Sequence, residues 1–406
     1  MSSALAERLL AALPAATGAD AAAARAAFAA AGLPDRKVES WRYSTLGGME
    51  TLDPAAGFVD ALALPELGGV SGTLAEFVGG RHVCIAPPDG VTLSIGAAVV
   101  PTADRPETGK AARAQAFRWL AEAGAAEELV VDVTTPVSGA WRLAWQHDAA
   151  GLVQSRCRVR VRRGASITLV EHHLGPDGAA GLANRLLDIE IEEGGELTWI
   201  RVQECGAKAQ SVQHSDLRIA AGGRCAMVAL ELGGLWSRHT LSLALAGADA
   251  RVQLAGLVAL QGRQHHDTQL ALTHTVGGAQ SRTLWKAIAN QRARSVFNGL
   301  ITVAPGADQT EAHLKTANLL LSPHAEIDTK PELVIEADEV VCSHGATVGQ
   351  LDDRALFYLR SRGIPEAQAR QMLTLAFGGE VLSAIASAEL RAALSGRVSA
   401  HLPQAQ

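Results

Sequence analysis

The stretches SITLVEHHL (166–174), LLDIEIEE (186–193) and ELTWIRVQE (196–204) follow one another with only short turns between them. In each of them apolar and polar residues alternate and β-branched residues are frequent, which predicts β-strands. No long helical segment separates the strands, as a βαβ crossover would require. The sequence therefore predicts successive strands joined by turns.

A glycine followed by Gly or Ala recurs through the same region, with gaps of 30, 28, 25, 30 and 29 residues, at Gly164, Gly194, Gly222, Gly247, Gly277 and Gly306. A repeat of this length is typical of solenoids and propellers, and no WD or kelch signature supports a propeller. Glycine suits the corners of solenoid coils because it adopts positive φ without steric cost. The prediction is a parallel β-solenoid, with a two-sheet sandwich as the alternative.

Composition limits the classes of function. The chain has 406 residues, of which 48% are hydrophobic and 4% aromatic. It can therefore bury a large core of Ala, Val, Leu and Ile, divided over two or three structural units. The net charge of −6, with both signs interspersed, argues against nucleic-acid binding as the main function. The stretch RCRVRVRR (156–163) is predicted to be a strand with one solvated basic face.

The five cysteines lie far apart and form no CxxC pair, which argues against a disulfide framework and a self-contained zinc site. Charged residues interrupt the first thirty residues, so they do not resemble a signal peptide. No window approaches eighteen uncharged apolar residues, so no membrane span is predicted. We expect a cytoplasmic protein.

Helical segments flank the strand region. Two short helices are predicted up to Gly32, and three between residues 351 and 398, the first of them capped by Asp352 or Asp353. Between helices and strands, Trp41 and Tyr43 either form a docking element or anchor the connector on the body. Because a solenoid exposes its last coils, we expect the helices to cap its ends, or the C-terminal ones to present a face to a partner.

The predicted organisation has four parts: an N-terminal helical segment and connector (1–48), a mixed α/β lead-in (49–130), a solenoid core (131–350) and a C-terminal helical subdomain (351–406). The histidine pairs His172-His173 and His265-His266 are expected at the surface. Neighbouring residues of a strand point to opposite faces, so neither pair can chelate one ion simply.

The stretch CSHGATVG (342–349) is a candidate site. In an extended strand Cys342 and His344 share one face, and a thiolate with an imidazole can bind iron, zinc or an iron–sulfur centre. Two ligands are too few for a closed site, so others would come from remote loops or from another chain. Two alternatives stay open: a thiol activated by the imidazole, and a core cysteine beside a histidine that bonds a turn.

The segment NLLLSPHAEIDTKPELVIEADEVVCSHGATVGQLDDRALFYLRSRGI (318–364) closely resembles the C-terminal hallmark of the SufB/SufD family of iron–sulfur cluster assembly proteins. ESWRYSTL (39–46) is similar to the Trp-Arg-Tyr element of that family. CSHGATVG resembles the SufD branch, since the Glu-His-Glu type segment usual in the SufB branch is missing. The resemblance implies a right-handed parallel β-helix, mainly β, flanked by N- and C-terminal helices.

The same resemblance implies a non-catalytic subunit of the SUF scaffold. It implies pairing with SufB, or a homodimer when SufB is absent, and binding of the ABC-type ATPase SufC through the C-terminal helices. SufS–SufE would deliver sulfur indirectly, and a reduced flavin is associated with such complexes. His344, with Cys342 beside it, would hold a transient cluster shared with SufB, and the candidates for contact with SufC are Phe357, Tyr358, Arg360 and Arg362. The alternatives are a SufB-type scaffold subunit and a carbohydrate-active β-solenoid enzyme.

Overall fold

The chain folds into a parallel β-solenoid. The computed structural model describes residues 2–15, 18–97, 109–125 and 127–402. There are two sheets, one of ten strands and one of nine, and from residue 127 onward successive strands alternate between them, so each coil adds one strand to each sheet. Between residues 127 and 349, strands that follow one another in the same sheet pair in parallel and in continuous register. The solenoid prediction is thereby confirmed over the two-sheet sandwich.

The ten-stranded sheet contains β1 (Val70–Val78), β2 (Arg81–Cys84), β5 (Ala140–Gln146), β7 (Ser166–Leu174), β9 (Glu196–Glu204), β11 (Arg224–Glu231), β13 (Arg251–Leu260), β15 (Gln280–Ala289), β17 (Glu311–Leu320) and β19 (Val341–Gly349). The nine-stranded sheet contains β3 (Val91–Ala97), β4 (Glu127–Val133), β6 (Leu152–Val161), β8 (Leu182–Ile191), β10 (Gln210–Ile219), β12 (Trp236–Leu245), β14 (His265–His274), β16 (Arg294–Val303) and β18 (Glu326–Ile335). At the N-terminal end, β2 and β3 pair antiparallel with their neighbours.

The corners of the coils depend on glycine for two reasons. Gly194 has a φ of 66°, as predicted for a corner, and Gly164, Gly222 and Gly306 are similar. Gly247 does not have positive φ, and Asp249 of the same turn takes that conformation. Gly247 is required instead by close packing, because a Cβ there would lie 2.1 Å from the backbone nitrogen of Ala221.

The inner faces of both sheets form one continuous hydrophobic core. Side chains at equal register stack from coil to coil, as in the column Met227, Leu254, Thr283 and Leu314. Most of the core is aliphatic, in line with the low aromatic content. Because alternate residues of each strand face inward, the period-2 pattern follows directly from this arrangement.

Seven helices are described: α1 (Ser2–Ala12), α2 (Ala19–Ala31), α3 (Gly109–Ala114), α4 (Ala116–Gly124), α5 (Asp353–Ser361), α6 (Glu366–Leu382) and α7 (Ala388–His401). The N-terminal helices pack on the outer face of the nine-stranded sheet. Helices α6 and α7 pack on the outer face of the ten-stranded sheet. Both groups therefore cover the sides of the solenoid, and the expectation that they cap its ends is wrong.

The connector before the strands is anchored on the body of the protein. Trp41 is buried and stacks on Trp236, with ring centroids 6.2 Å apart. Ser44 Oγ donates a hydrogen bond of 2.5 Å to Asp267, whereas Tyr43 is half-buried. For Trp41, the anchoring alternative is the one that the structure supports.

The expectation that both histidine pairs lie at the surface is wrong. His172, His173 and His266 are buried. His173 belongs to an interior polar network formed by Glu171, His173, Arg201, Gln213 and Glu231. Each of these side chains has a hydrogen-bond partner inside the solenoid, which is how polar groups are tolerated in a protein interior.

The arginine-rich strand β6 also differs from the prediction of a solvated basic face. Arg156 is buried and bonds Glu128 and Asp188, both at 2.8 Å. Arg162, which is partly exposed, pairs with Asp132 of β4 at 2.7 Å. The basic face is therefore neutralised by carboxylates of the adjacent coils.

Candidate functional site

Cys342 and His344 lie on β19, the last strand of the ten-stranded sheet. In the pairing of β19 with β17, Cys342 is opposite Ala312 and His344 is opposite Leu314. Both residues of β17 belong to the buried core, so the alternation along the strand puts Cys342 and His344 on its inner face. The structure thus brings the two predicted ligands to one face of one strand.

The two inner-face residues differ in exposure because β19 belongs to the last coil. Cys342 is half-buried and packs against the core, whereas His344 is exposed. No further coil covers this side, since β18 and β19 each pair on one side only. We call β18 and β19 together the open end of the solenoid.

The open end also exposes apolar side chains. Val341 is 63% exposed, and Val334, Ile335 and Val348 are exposed as well. The alternating pattern of this part of the sequence predicts strands. It does not tell whether a strand belongs to a terminal or an internal coil, and only in a terminal coil are these apolar side chains exposed. Exposed apolar groups beside unpaired strand edges are typical of interaction surfaces.

The electrostatics do not support the activated-thiol alternative. Burial raises the pKa of the Cys342 thiol, and only a backbone hydrogen bond from Ala312 opposes that shift. At neutral pH the thiol is therefore protonated. Within the described ranges, no group of three or more His, Cys, Asp or Glu side chains is arranged to hold a metal ion.

The predicted partner-binding residues lie on α5 and the turn after it, and we call them the α5 patch: Phe357, Tyr358, Arg360 and Arg362. Phe357 is 72% exposed and Tyr358 is 58% exposed. The guanidinium of Arg362 lies 5.2 Å from the centre of the Tyr358 ring. Arg360 pairs with Glu366 of α6 at 3.4 Å, so it already has a partner within this chain.

The helix that carries this patch is built as the sequence predicts. Asp352 caps α5 by accepting a hydrogen bond of 2.8 Å from the backbone N–H of Arg354. Leu356 is buried, so α5 is held through one residue while its aromatic residues point outward. The exposed Phe-Tyr pair places two large aromatic side chains side by side on the helix surface.

Comparison with known proteins identifies the family. Residues 144–377 match the family described as SUF system FeS cluster assembly, SufBD core domain. The chain is 32% identical over 386 residues to the iron–sulfur cluster assembly protein SufD of Escherichia coli, covering 92% of this chain and 90% of that protein. It is 26% identical over 387 residues to a SufBD family protein of Mycobacterium leprae, covering 91% of each.

A third relative matches over a shorter range. A SufBD family protein of Synechocystis sp. is 34% identical over 258 residues, which cover 61% of this chain and 56% of that protein. None of the helices in the described residues is long and apolar enough to cross a membrane. The strands from β6 to β19, the open end and the helix α5 all lie within the matched core. The chain therefore belongs to the SufBD family of iron–sulfur cluster assembly proteins.

Proposed function

We propose that this chain is the SufD-type subunit of a SUF scaffold, which pairs with SufB at the open end and has no catalytic role of its own in cluster assembly. The observation that carries the proposal is the exposed imidazole of His344 on the terminal strand. Family membership supports it, and one of the two relatives that match over nine-tenths of the chain, at 32% identity, is a SufD. The carbohydrate-active alternative has no such support.

Pairing at the open end follows from its unsatisfied surface. The strands β18 and β19 present free backbone N–H and C=O groups and exposed apolar side chains. A second solenoid of the same family can satisfy both by adding its own terminal strands. SufB is the proposed partner, and a second copy of this chain takes its place when SufB is absent.

In that arrangement His344 contributes a ligand to a cluster that is cargo of the complex. Imidazole and thiolate both bind iron. With two donors on this chain, the remaining ligands come from SufB, whose cysteine would face His344 across the junction. Cys342 has the smaller role, because its thiol is partly buried against the core.

Replacing His344 by Ala is expected to leave SufB bound and to lower iron retention about tenfold or more, since a direct ligand is lost. The complex would be purified with SufB and SufC, reconstituted anaerobically with ferrous iron and sulfide, and measured by visible absorption. His401→Ala on α7 is the matched control. Wild-type absorption in the His344→Ala complex would contradict the role of His344.

The α5 patch is the proposed contact with SufC. The helical subdomain that carries it is joined to the solenoid by polar bonds: Lys286 Nζ lies 2.5 Å from Glu380 of α6, and Arg397 of α7 pairs with Glu204. These bonds cross between the helices and the outer sheet face. We propose that ATP-driven movement of SufC is transmitted through them to the solenoid and opens the junction with SufB.

The double substitution Phe357→Ala/Tyr358→Ala is expected to weaken SufC binding by more than tenfold, because exposed aromatic residues dominate such interfaces. Its effect on thermal stability should be small, as both side chains are exposed. Binding would be measured by calorimetry with purified SufC. Phe58→Ala, which removes an exposed phenylalanine of the lead-in, is the control, and unchanged affinity of the double variant would place the contact elsewhere.

The remaining components are proposed for the assembled complex. Sulfur arrives from SufS–SufE by way of the complex, and the reduced flavin is assigned to the assembly with no residue of this chain as its ligand. We place the complex in the cytoplasm on the basis of the sequence.

A further inference from the structure

A groove of about 590 Å³ lies on the outer face of the ten-stranded sheet, beside the end of α6. Its floor consists of aliphatic side chains at equal register on successive strands, Ile200, Val228, Ala255 and Leu284. Ile385, just after α6, forms part of the wall. This half of the groove can bury an apolar chain.

The other half of the groove is polar and cationic. Arg282 of β15 and His313 and Lys315 of β17 line it. Arg282 is bound to Glu311. Lys315 forms no ion pair within 4 Å among the residues that the structure describes, but Glu380 also lines the groove, and the charge of Lys315 helps Lys286 to lower the pKa of that carboxyl. The groove therefore changes from apolar to positive along its length, which suits an apolar chain ending in a polarised or anionic group.

A hydroxyl lies at the cationic end. Ser343 Oγ of β19 lies 2.7 Å from His313 Nδ1, and the other ring nitrogen of His313 lies 3.1 Å from Glu311 Oε1. Glu311 in turn accepts a hydrogen bond of 2.8 Å from Arg282. Ser343 is exposed and points to the outer face, opposite to the face that carries Cys342 and His344.

The order of these bonds makes Ser343 the donor. Hydrogen bonds from Arg282 and then His313 lower the pKa of Glu311, so its carboxylate only accepts. The ring nitrogen that faces Glu311 therefore carries the proton. In neutral imidazole the other nitrogen accepts, so Nδ1 takes the hydrogen bond from the Ser343 hydroxyl. A hydroxyl on a base, with the base held by an acid, is the arrangement of an activated nucleophile.

We propose that Ser343 is a nucleophile that accepts the acyl group of an ester whose apolar chain lies in this groove. Nothing in cluster assembly requires this activity, so it goes beyond the function proposed above. Lys315 lies two residues from His313 on the same outward face of β17. It is the cation available to the negative charge that develops on the attacked carbonyl.

The reaction balances without a redox partner. Ser343 Oγ forms a bond to the carbonyl carbon while its proton moves to His313 Nδ1. The bond between the carbonyl carbon and the leaving oxygen then breaks, the alcohol departs with that proton, and an acyl-serine remains. Water attacks the acyl-serine in the second half while His313 Nδ1 takes a proton from it. The bond between the carbonyl carbon and Ser343 Oγ then breaks, the proton on His313 returns to Ser343 Oγ, and the carboxylic acid is released.

The test uses the isolated full-length chain and p-nitrophenyl hexanoate. We expect release of nitrophenolate and a hexanoyl adduct on Ser343, located by mass spectrometry. Ser343→Ala should abolish the adduct, and both Ser343→Ala and His313→Gln should lower the initial rate about a hundredfold. Leu284→Trp, which fills the groove floor, should remove the preference for hexanoate over acetate.

The control is Ser383→Ala, an exposed serine beyond the end of α6, which should react like the wild type. Far-ultraviolet circular dichroism would confirm that each variant is folded. An adduct confined to other residues, or a Ser343→Ala variant that hydrolyses the ester at the wild-type rate, would overturn the proposal. The measurement needs neither SufB nor iron, so its failure leaves the proposed assembly function untouched.

Discussion

The protein is expected to unfold in mild acid, within one to three pH units below pH 6.5 at room temperature. The cause is the set of neutral histidines inside the solenoid. Burial lowers the pKa of His147 to about 3, and the charge of Arg185 adds to this effect. Burial also holds the pKa values of His173, His214 and His239 well below the usual value, each assisted by a nearby arginine.

The direction of this pH dependence follows from the difference in histidine pKa between the folded and the unfolded state. In the unfolded chain each histidine takes up a proton near pH 6.5, but in the folded chain it does so only at much lower pH. Above pH 6.5 neither state binds the proton and the full stability is present. Below it each such histidine costs the fold about 1.4 kcal/mol per pH unit. Four such histidines together lower the free energy of unfolding by about 5 kcal/mol per pH unit, whereas the whole free energy of unfolding of a domain is about 5–15 kcal/mol.

The measurement is the thermal midpoint as a function of pH between 8 and 4. His239→Gln, which replaces one buried imidazole by a neutral group, should reduce the slope in the acid range even where it lowers the midpoint at pH 8. His324→Gln, at an exposed position, should leave the slope unchanged. A midpoint that stays constant from pH 8 to pH 5 would show that the histidines do not remain neutral in the folded chain.

Much of the fold could be predicted because a solenoid is a local structure. Each coil repeats the same strand, corner and strand, so the period of the glycines and the alternation of stretches such as ELTWIRVQE contain the needed information. The corner at Gly247 shows the limit. There the positive φ moves to Asp249, and the glycine is required by the backbone of the preceding coil. Packing between neighbouring coils cannot be predicted from the local sequence pattern.

The buried histidines and arginines show why polarity alone misleads. The sequence predicted His172 and His173 at the surface because burying an isolated polar group costs free energy. In the solenoid, stacking places Glu171 beside Arg201 and Arg158 beside Asp188 on neighbouring strands. Partners about thirty residues away supply the missing hydrogen bonds, and register alone determines which residues meet.

The candidate site was predictable in part. Strand geometry predicted that Cys342 and His344 share one face, as the pairing of β19 with β17 confirms, whereas their role in cluster binding stays a prediction. The exposure of His344 depends on β19 being the last strand and on the helices covering the sides. The contact of Ser343 with His313 depends on the pairing of β17 with β19. Neither of these features has a local signature.

Arg201 is the residue whose loss should destabilise the solenoid most, because it neutralises two buried carboxylates. Its guanidinium lies 2.9 Å from Glu171 and 2.7 Å from Glu231, and each carboxylate side chain is only 1–2% exposed. Burial by itself would raise the pKa of Glu171, yet the charge of Arg201, aided by the hydrogen bond from the Gln213 amide, holds that pKa well below its usual value. The Glu171 carboxylate therefore stays ionised in the interior only while Arg201 is present, and Glu231 loses its ion-pair partner when Arg201 is removed.

Arg201→Met is expected to lower the free energy of unfolding by about 3–5 kcal/mol, the cost of leaving buried charge uncompensated. Adding Glu171→Gln and Glu231→Gln to that variant should recover much of the loss, because no ionised group then remains unpaired. Urea unfolding of the single and triple variants measures both effects. Arg251→Met on the exposed outer face of β13 is the control and should change the unfolding free energy by less than about 0.5 kcal/mol. If Arg201→Met unfolds at the wild-type urea concentration, this guanidinium does not compensate the two buried carboxylates, and the interior polar network does not stabilise the fold.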